Sequence, residues 1–288
     1  MRPIEPQATG SVEAAPRPTQ SLVSPEHQEP AMTLTIVIPA HNEEGRIDRT
    51  LHAYRRGFPE RDVTFHVALD GCDDRTDEVV HRHISSDPRV VMHHYPKMGK
   101  GGVLMETFRR CETDLVAFVD ADCATPPSEL RRLTEGAAAA DGVIASRRLP
   151  ASVTPSARAH GRGLTSSGFA WLVRRAFGLP YADTQCGAKV FRRSALERIV
   201  PLMSSRDFLF DVDLLVTARR LGYDVNEVPT VWIDQSGSKL DARRDSIRML
   251  IGTARLWVHH QSSPIHRDPA PAHRLTAAHL ATGGARAA

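Results

Sequence analysis

Short apolar runs alternate with helix-like segments through the first half of this chain, and this alternation is the feature that most constrains its fold. Five runs have the composition of buried strands, at residues 34–38, 63–69, 90–94, 115–122 and 142–145. Helical periodicity separates them, at residues 46–56, up to about residue 84, 103–110 and 128–140. Strands that alternate with helices form parallel sheets. The sequence therefore predicts an α/β fold with a mostly parallel central sheet and helices on both faces.

Polar or charged side chains stand at the carboxyl ends of four of these predicted strands. They are Asn42 and Glu43, Asp70, Asp120 with Asp122, and Ser146 with Arg147. Open α/β sheets bind their ligands at this edge, outside the carboxyl ends of the strands. We therefore expect one shared site there.

Asp120 and Asp122 are the most informative pair. Residues two apart on a strand share a face, so we expect both carboxylates to point to one place. Two adjacent carboxylates repel each other unless a cation neutralises them, and Mg²⁺ or Mn²⁺ binds through one or two carboxylates plus substrate phosphates. The alternative is an acidic turn that caps the following helix. D-x-D alone does not separate the two interpretations.

Two further segments suggest anion or nucleoside binding. Residues 97–102 (KMGKGG) place lysines and glycines before a helix, which is an anion cradle, although they do not match the P-loop pattern. Asn42 and Glu43 belong to a lip, residues 39–43, that could hydrogen-bond to a base and ribose. For Glu43 and Glu44 the alternative is a structural one, since acids suit the positive first turn of a helix.

The second half of the chain is less regular. We expect a long basic loop at residues 149–165 that acts as a lid, helices at 166–177 and 194–199, and an extended segment at 225–232. A last helix, 241–258, has an apolar face formed by Ile247, Leu250, Ile251, Ala254, Trp257 and Val258. That face either packs on the core or lies on an anionic membrane.

Composition excludes several classes of protein. A net charge of +3 is too small to indicate nucleic-acid binding. The four cysteines form no C-x-x-C pair, which predicts reduced thiols in a cytosolic protein. No apolar run approaches the roughly 18 residues that span a bilayer. We therefore expect a cytoplasmic protein, either free or peripheral at the cytoplasmic face of a membrane.

Nine motifs occur in order between residues 33 and 256: IVIPAHNEE, ALDGCDD, KMGKGG, FVDADCAT, ASR, DTQCGAKVF, FLFDVDLL, EVP and GSK. Together they resemble the family 2 glycosyltransferases of the GT-A (nucleotide-diphospho-sugar transferase) fold. Within that family the chain is most similar to the dolichyl-phosphate β-glucosyltransferase, or polyprenyl-phosphate glycosyltransferase, branch. On this resemblance residues 32–258 form one GT-A domain between a disordered leader, 1–31, and a disordered tail, 259–288.

The resemblance implies an inverting transfer of a hexose from a nucleotide sugar, UDP-glucose first, to a polyprenyl phosphate, with Mg²⁺ or Mn²⁺ as cofactor. It places the metal at Asp120 and Asp122. The residues it assigns to the donor are Pro39, Ala40, Asn42, Glu43, Asp70, Lys100, Asp120 and Ala121. Those it assigns to the acceptor phosphate are Ser146, Arg147, Arg162, Ser166 and Lys239. Asp183 and Asp211 fall beside the reacting carbon, unless they cap a turn and a helix instead.

Three positions depart from the branch pattern: Cys72 after the Asp-Gly pair, Cys123 after the D-x-D motif, and Ala188 in place of an aromatic residue. Ala188 leaves sugar and acceptor identity open. Two other hypotheses are kept. The chain could be a soluble family 2 glycosyltransferase with a small acceptor, or an inactive module that binds nucleotide sugars.

Overall fold

The computed structural model describes residues 32–155, 160–233, 235 and 242–263, with the backbone alone for 160–167 and 242–248. The strands are β1 (Leu34–Ala40), β2 (Val63–Asp70), β3 (Val90–Tyr95), β4 (Leu115–Phe118), β5 (Gly142–Ser146), β6 (Lys189–Arg192) and β7 (Val225–Pro229). The helices are α1 (Ile47–Gly57), α2 (Thr76–Ser86), α3 (Lys100–Phe108), α4 (Pro127–Gly136), α5 (His160–Phe177), α6 (Arg193–Ile199), α7 (Phe210–Leu221) and α8 (Ala242–Ser262).

These strands form one sheet in the order β3-β2-β1-β4-β6-β5-β7. All neighbours pair in parallel except β6, which is antiparallel to both β4 and β5. The predicted mostly parallel α/β sheet is therefore confirmed. Because β6 runs against the others, its amino end, at Lys189, lies at the same edge as the carboxyl ends of the parallel strands. Side chains before and within β6 thereby join the predicted site.

Two apolar clusters lie on opposite faces of this sheet. Alternate residues of β1 divide between them, since Ile36 and Ile38 belong to one cluster and Val37 to the other. Helices α1, α2 and α4 cover the first face. Helices α3, α6 and α7 cover the second. The sheet is thus buried on both sides, which explains why its strands are continuous apolar runs rather than alternating ones.

Several predicted boundaries were wrong. Strand β4 ends at Phe118, so Asp120 and Asp122 lie in the turn that follows and not on the strand. Helix α5 begins at His160, within the loop predicted at 149–165, and the remaining loop residues 156–159 lie outside the described part of the chain. Helix α7 begins at Phe210 without a side-chain cap, so Asp211 lies inside its first turn and does not cap it.

Helix α8 turns its apolar stripe outward. Leu250, Ile251, Trp257 and Val258 are each 44–58% exposed. The buried side of the helix is formed instead by Thr253, Leu256 and His260. Of the two alternatives for this stripe, packing on the core is therefore contradicted for these four residues. The helix also continues to Ser262, so the predicted disordered tail does not begin at residue 259. Among the described residues, no helix is both long and apolar enough to cross a membrane.

Candidate active site

The turn after β4 is held in place by helix α1. The hydroxyl of Thr50 donates to the carbonyl of Ala121 at 2.6 Å, and Arg49 donates to the carbonyl of Asp122 at 2.9 Å. Cys123 closes the turn with φ of 58°. This left-handed backbone conformation is uncommon for residues other than glycine. This constrained backbone projects the carboxylates of Asp120 and Asp122 towards the predicted edge of the sheet.

Asp120 lies between a lysine and a glycine. Lys100, the first residue of α3, donates to Asp120 Oδ1 at 2.7 Å. On the other side, a Cβ atom at position 187 would overlap Asp120 Oδ2. Gly187 is therefore required by this close approach, because any side chain would displace the carboxylate.

The carboxylate of Asp122 is bound by a backbone N–H, whereas that of Asp120 is bound by a lysine. Asp122 Oδ1 accepts from the backbone N–H of Ala124 at 2.9 Å. Burial and the nearby negative charge of Asp120 raise the pKa of Asp122 above its ordinary value. A carboxylate in this position favours the arrival of a cation.

The donor set in the turn fits a hard divalent cation. Within the described ranges, no group of three or more His, Cys, Asp or Glu side chains is arranged to hold a metal ion. Two aspartates would therefore leave the other coordination positions to water and phosphate oxygens, which is how proteins commonly bind Mg²⁺. The Asp120 carboxylate occupies the space that a Cβ at position 187 would fill, so Gly187 leaves room for Asp120 beside such a cation.

Asp70 anchors the glycine-rich segment before α3. Its Oδ1 accepts from the backbone N–H groups of Met98 at 2.6 Å and Gly99 at 3.1 Å, and its Oδ2 lies 3.1 Å from Lys97 Nζ. Gly99 has φ of 84°, which only glycine adopts readily. Asp70 therefore fixes the segment that presents Lys100, and both of its oxygens already have partners.

The predicted nucleoside lip, residues 39–43, is tied to the loop after β2. Asn42 has φ of 55°, and its side-chain amide donates to Asp73 at 2.5 Å. The Sγ of Cys72 lies 3.4 Å from the carbonyl of Ala40, next to Pro39. The Glu43 carboxylate binds the guanidinium of Arg46 at 2.6 and 2.7 Å. Glu43 and Glu44 precede α1, whose first-turn acid is Asp48, so the helix-turn interpretation of these glutamates was wrong.

Arg147 and Asp183 form a two-pronged ion pair after β5. Nε donates to Oδ2 at 2.6 Å and an Nη to Oδ1 at 2.9 Å. Burial by itself raises the pKa of Asp183, but the hydrogen bonds and charge of Arg147 outweigh it and hold the pKa below its usual range. The Arg147 guanidinium carbon lies 5.4 Å from the ring centre of Trp232, an orientation that supports a cation–π contact. Arg147 is thus a fixed cation.

Glu227 on β7 holds the backbone on which Asp183 lies. Its carboxylate accepts from the backbone N–H groups of Ala182 at 2.8 Å and Asp183 at 2.7 Å. Asp183 Oδ1 also accepts from the N–H of Gln185 at 3.2 Å, so the predicted turn cap is present together with the ion pair. Sequence reasoning missed Glu227, although an acid within an extended apolar segment was a usable signal.

Asp211 and Lys189 form a second pair, deeper in the molecule. Lys189 is fully buried, and its Nζ lies 2.5 Å from Asp211 Oδ1 and 2.7 Å from the carbonyl of Cys186. Asp211 Oδ2 is 3.9 Å from Lys100 Nζ. Burial lowers the pKa of Lys100, but Asp120 and Asp211 outweigh it and raise the pKa above its ordinary value. Lys189 was missed because a single lysine before an apolar strand resembles a strand end.

The remaining predicted site residues differ in how far they can be placed. Ser146 is buried, and its Oγ accepts from the N–H of Arg148 at 3.3 Å. Arg162 and Ser166 lie in the first part of α5, residues 160–167, for which only the backbone is described. Lys239 lies outside the described residues. The structure thus brings Asp120, Asp122, Lys100, Asp211, Asp183 and Arg147 to one edge of the sheet.

Comparison with known proteins agrees with this architecture. The protein-family model described as "Glycosyl transferase family 2" matches residues 35–200. Glycosyltransferase AglD of Haloferax volcanii is 31% identical over 78% of this chain, which spans only 37% of AglD. Dolichyl-phosphate beta-glucosyltransferase ALG5A of Trichomonas vaginalis is 31% identical over 80% of this chain and 75% of its own length.

Among solved structures, glucosyl-3-phosphoglycerate synthase from Mycobacterium tuberculosis superposes with a TM-score of 0.58. The alignment covers 77% of this chain and 80% of that one at 21% identity, a likeness of fold. The predicted GT-A fold is thereby confirmed. With the family model covering more than half of the sequence, this chain belongs to glycosyl transferase family 2, in the group that resembles polyprenyl-phosphate glycosyltransferases.

Proposed function

We propose that this family 2 glycosyltransferase moves a hexose from a nucleoside diphosphate sugar to a polyprenyl phosphate, with inversion at the anomeric carbon. One observation carries the proposal. The turn that holds Asp120 and Asp122 lies at the same edge of the sheet as the ion pair between Arg147 and Asp183. The first provides for a metal-bound diphosphate, and the second for an acceptor anion. ALG5A of Trichomonas vaginalis, by its name, transfers glucose to dolichyl phosphate.

On the donor side, Asp120 and Asp122 would hold Mg²⁺ or Mn²⁺, which would stabilise the charge that develops on the leaving diphosphate. The synthase from Mycobacterium tuberculosis was solved with Mn²⁺ and UDP, which supports a divalent cation and a uridine nucleotide here. Lys100 supplies a further cation beside the turn. Pro39, Ala40, Asn42 and Glu43 form the lip assigned to the nucleoside, and Asp70 fixes the segment that carries Lys100.

On the acceptor side, the chemistry asks for orientation rather than for a base. A phosphate monoester is largely ionised near neutral pH, with a second pKa of about 6. Its oxygen can attack the anomeric carbon directly if a fixed cation places it in line. Arg147 is such a cation, because Asp183 accepts two hydrogen bonds from one edge of its guanidinium and fixes its orientation. Ser146, Arg162, Ser166 and Lys239 complete the proposed acceptor set.

Neither predicted catalytic aspartate is free to act as a general base. Both oxygens of Asp183 accept from Arg147, and Asp211 is paired with buried Lys189. An acceptor hydroxyl would need a base to take its proton, whereas an ionised phosphate does not. These two ion pairs therefore support a phosphate acceptor, with Asp183 and Asp211 as positioning residues for Arg147 and for the lysines.

The outward face of α8 provides the proposed contact with the lipid surface. Leu250, Ile251, Trp257 and Val258 point to solvent, and exposed Arg255 lies on the same helix. Apolar side chains flanked by arginines suit the boundary of an anionic bilayer. We propose peripheral contact there, on the cytoplasmic face, which would bring a polyprenyl phosphate to the enzyme.

The test is transfer of label into a lipid. The purified protein is incubated with labelled UDP-glucose, Mg²⁺ and polyprenyl phosphate in detergent, and the product is extracted into organic solvent. We expect label in the organic phase, and its loss in Asp122→Ala but not in the control Glu112→Ala, which removes an exposed acid before β4.

Label that stays in water while UDP is released would mean that glucose passes to water and not to the lipid, which would contradict the lipid acceptor. If no UDP is released, GDP-mannose is substituted for UDP-glucose. Failure with both donors would contradict the proposed transfer. Organic-phase label that survives in Asp122→Ala would contradict the assignment of the metal site.

A further inference from the structure

The ammonium of Lys100 binds Asp120, which is one of the two proposed metal ligands. This ammonium lies 2.7 Å from Asp120 Oδ1, a normal distance for a charge-assisted hydrogen bond. On its other side, the carboxylate of Asp120 occupies the space that a Cβ at Gly187 would fill. The approach to Asp120 from the α3 side is therefore taken by the lysine.

Lys100 is not needed by its second neighbour. Asp211 is already neutralised by Lys189 at 2.5 Å, whereas Lys100 lies 3.9 Å from the other oxygen of Asp211. Among the described residues, the closest acidic partner of Lys100 is thus Asp120.

Lys100 is also built to move, in contrast to Lys189. The Lys100 side chain is 26% exposed and that of Lys189 is fully buried. Lys100 is the first residue of α3, directly after Gly99, and a four-carbon stem allows its ammonium several positions. A diphosphate bound at the amino end of α3 would offer the ammonium a more highly charged partner than one carboxylate.

We propose that Lys100 is a resident counter-ion of Asp120 that competes with the divalent cation until the donor arrives. A dication beside an ammonium on the same carboxylate is disfavoured by repulsion of like charges. When the nucleoside diphosphate binds, Lys100 transfers to its phosphates, Asp120 is released, and the metal binds. Lys100 thereby makes metal binding depend on the donor. This inference rests on the proposed metal site at Asp120 and Asp122.

The experiment titrates Mn²⁺ into the full chain without any acceptor, and follows free Mn²⁺ by electron paramagnetic resonance, with and without UDP. The test variant is Lys100→Met, which keeps the length of the side chain and removes its charge. The matched control is Lys97→Met, which removes the same charge from the same segment. In the wild type, Lys97 pairs with Asp70 and not with Asp120. Circular dichroism checks that each variant is folded.

Without UDP, we expect Lys100→Met to bind Mn²⁺ at least about tenfold more tightly than the wild type or Lys97→Met. The gain in Mn²⁺ affinity on adding UDP should shrink by a similar factor. A Kd for Mn²⁺ in Lys100→Met that equals that of Lys97→Met, or is weaker, would overturn the competition.

Asp122→Ala separates this inference from the proposed metal site. If Asp122→Ala weakens Mn²⁺ binding but Lys100→Met does not strengthen it, only the role of Lys100 fails. If Asp122→Ala binds Mn²⁺ as the wild type does, or if no variant binds Mn²⁺, both the site and the competition are overturned. None of these outcomes depends on which sugar or acceptor the enzyme uses.

Discussion

The two ion pairs at the sheet edge use the same kinds of charge in opposite ways. Lys189 and Asp211 are 0% and 7% exposed at the side chain, and their pair is sealed between β6 and α7. In the other pair Asp183 is 2% exposed at the side chain, whereas Arg147 is 28% exposed and thus partly open to solvent. The first pair is therefore enclosed in the protein, whereas the second is partly open to solvent.

This difference in exposure matches the different side chains that pair with the two aspartates. A point-like ammonium satisfies a buried carboxylate and a carbonyl at once, as Lys189 does with Asp211 and Cys186. A planar guanidinium can bind a carboxylate with two groups and still offer its remaining N–H donors to a phosphate. Replacing a member of each pair tests the distinction.

The largest effect is expected for Lys189→Met, which leaves the carboxylate of Asp211 buried without its close cation. Breaking a buried pair from one side costs about 3–5 kcal/mol. We expect a loss of this size in the free energy of unfolding, measured by denaturant titration. The double variant Lys189→Met with Asp211→Leu should recover most of the loss, because it removes both charges.

A loss below about 1 kcal/mol in the single variant would show that the pair behaves like an exposed one. The Lys189–Asp211 pair would then contribute no more to stability than the more exposed Arg147–Asp183 pair. Lys189→Arg is a useful companion, since it keeps the charge but does not fit a site built for an ammonium.

A smaller effect on stability but a specific effect on catalysis is expected for Arg147→Lys. The lysine keeps the charge and loses the two-pronged contact with Asp183, so the acceptor is no longer held in line. Misplacement of about 1 Å can reduce a rate about 100-fold. We expect initial rates to fall by about that factor and the KM of the acceptor to rise, with the KM of the donor unchanged.

Arg109→Lys is the matched control, because Arg109 makes an exposed pair with Glu106 on α3. An equal rise in the KM of the donor for Arg147→Lys would instead place Arg147 at the donor. The same kinetic comparison applies to Arg162→Ala, whose side chain the structure does not describe.

The smallest effect is in the acid dependence of stability. The pKa of Asp183 is lowered in the folded state because the hydrogen bonds and charge of Arg147 outweigh the effect of burial. A group with a lowered folded pKa stabilises the fold above its unfolded pKa, about 3.9 for aspartate, and this stabilisation is lost as the pH falls through the folded value.

We therefore expect the stability difference between the wild type and Arg147→Met to narrow as the pH falls through the folded pKa of Asp183 in the variant, which burial without Arg147 leaves above the ordinary value of about 3.9. Denaturant titrations at a series of pH values measure this difference. A gap that stays constant down to pH 2 would mean that the Asp183 charge does not contribute through Arg147.

The sheet, and the convergence of several polar residues at one edge of it, could be predicted from the sequence. Each strand through β5 is a short apolar run bounded by turn residues, and Asp70, Asp120 and Arg147 follow such runs directly. Local patterns suffice there because the polar residue and its strand are adjacent in sequence. The position of Asp120 in a turn, and not on the strand, was missed because an apolar run does not mark where pairing stops.

The partners of the two aspartates could not be predicted. Lys189 meets Asp211, and Glu227 meets the backbone of Asp183, only because β6 runs antiparallel between β4 and β5. Nothing local to these residues specifies that order. For α8, periodicity identified the apolar stripe correctly but cannot tell whether a stripe faces the core or solvent, since this depends on the rest of the fold.

Strand β6 lies between β4 and β5, although both are made before it on the ribosome. While the residues between Ser146 and Lys189 are being added, β4 and β5 lack the partner that later joins them. At about 5–20 residues per second, this interval lasts roughly a few seconds. Unpaired strand edges are templates for other chains. The edges that β4 and β5 later give to β6 are therefore open to wrong association during that interval, and the site stays incomplete until Asp211 and Glu227 have also been added.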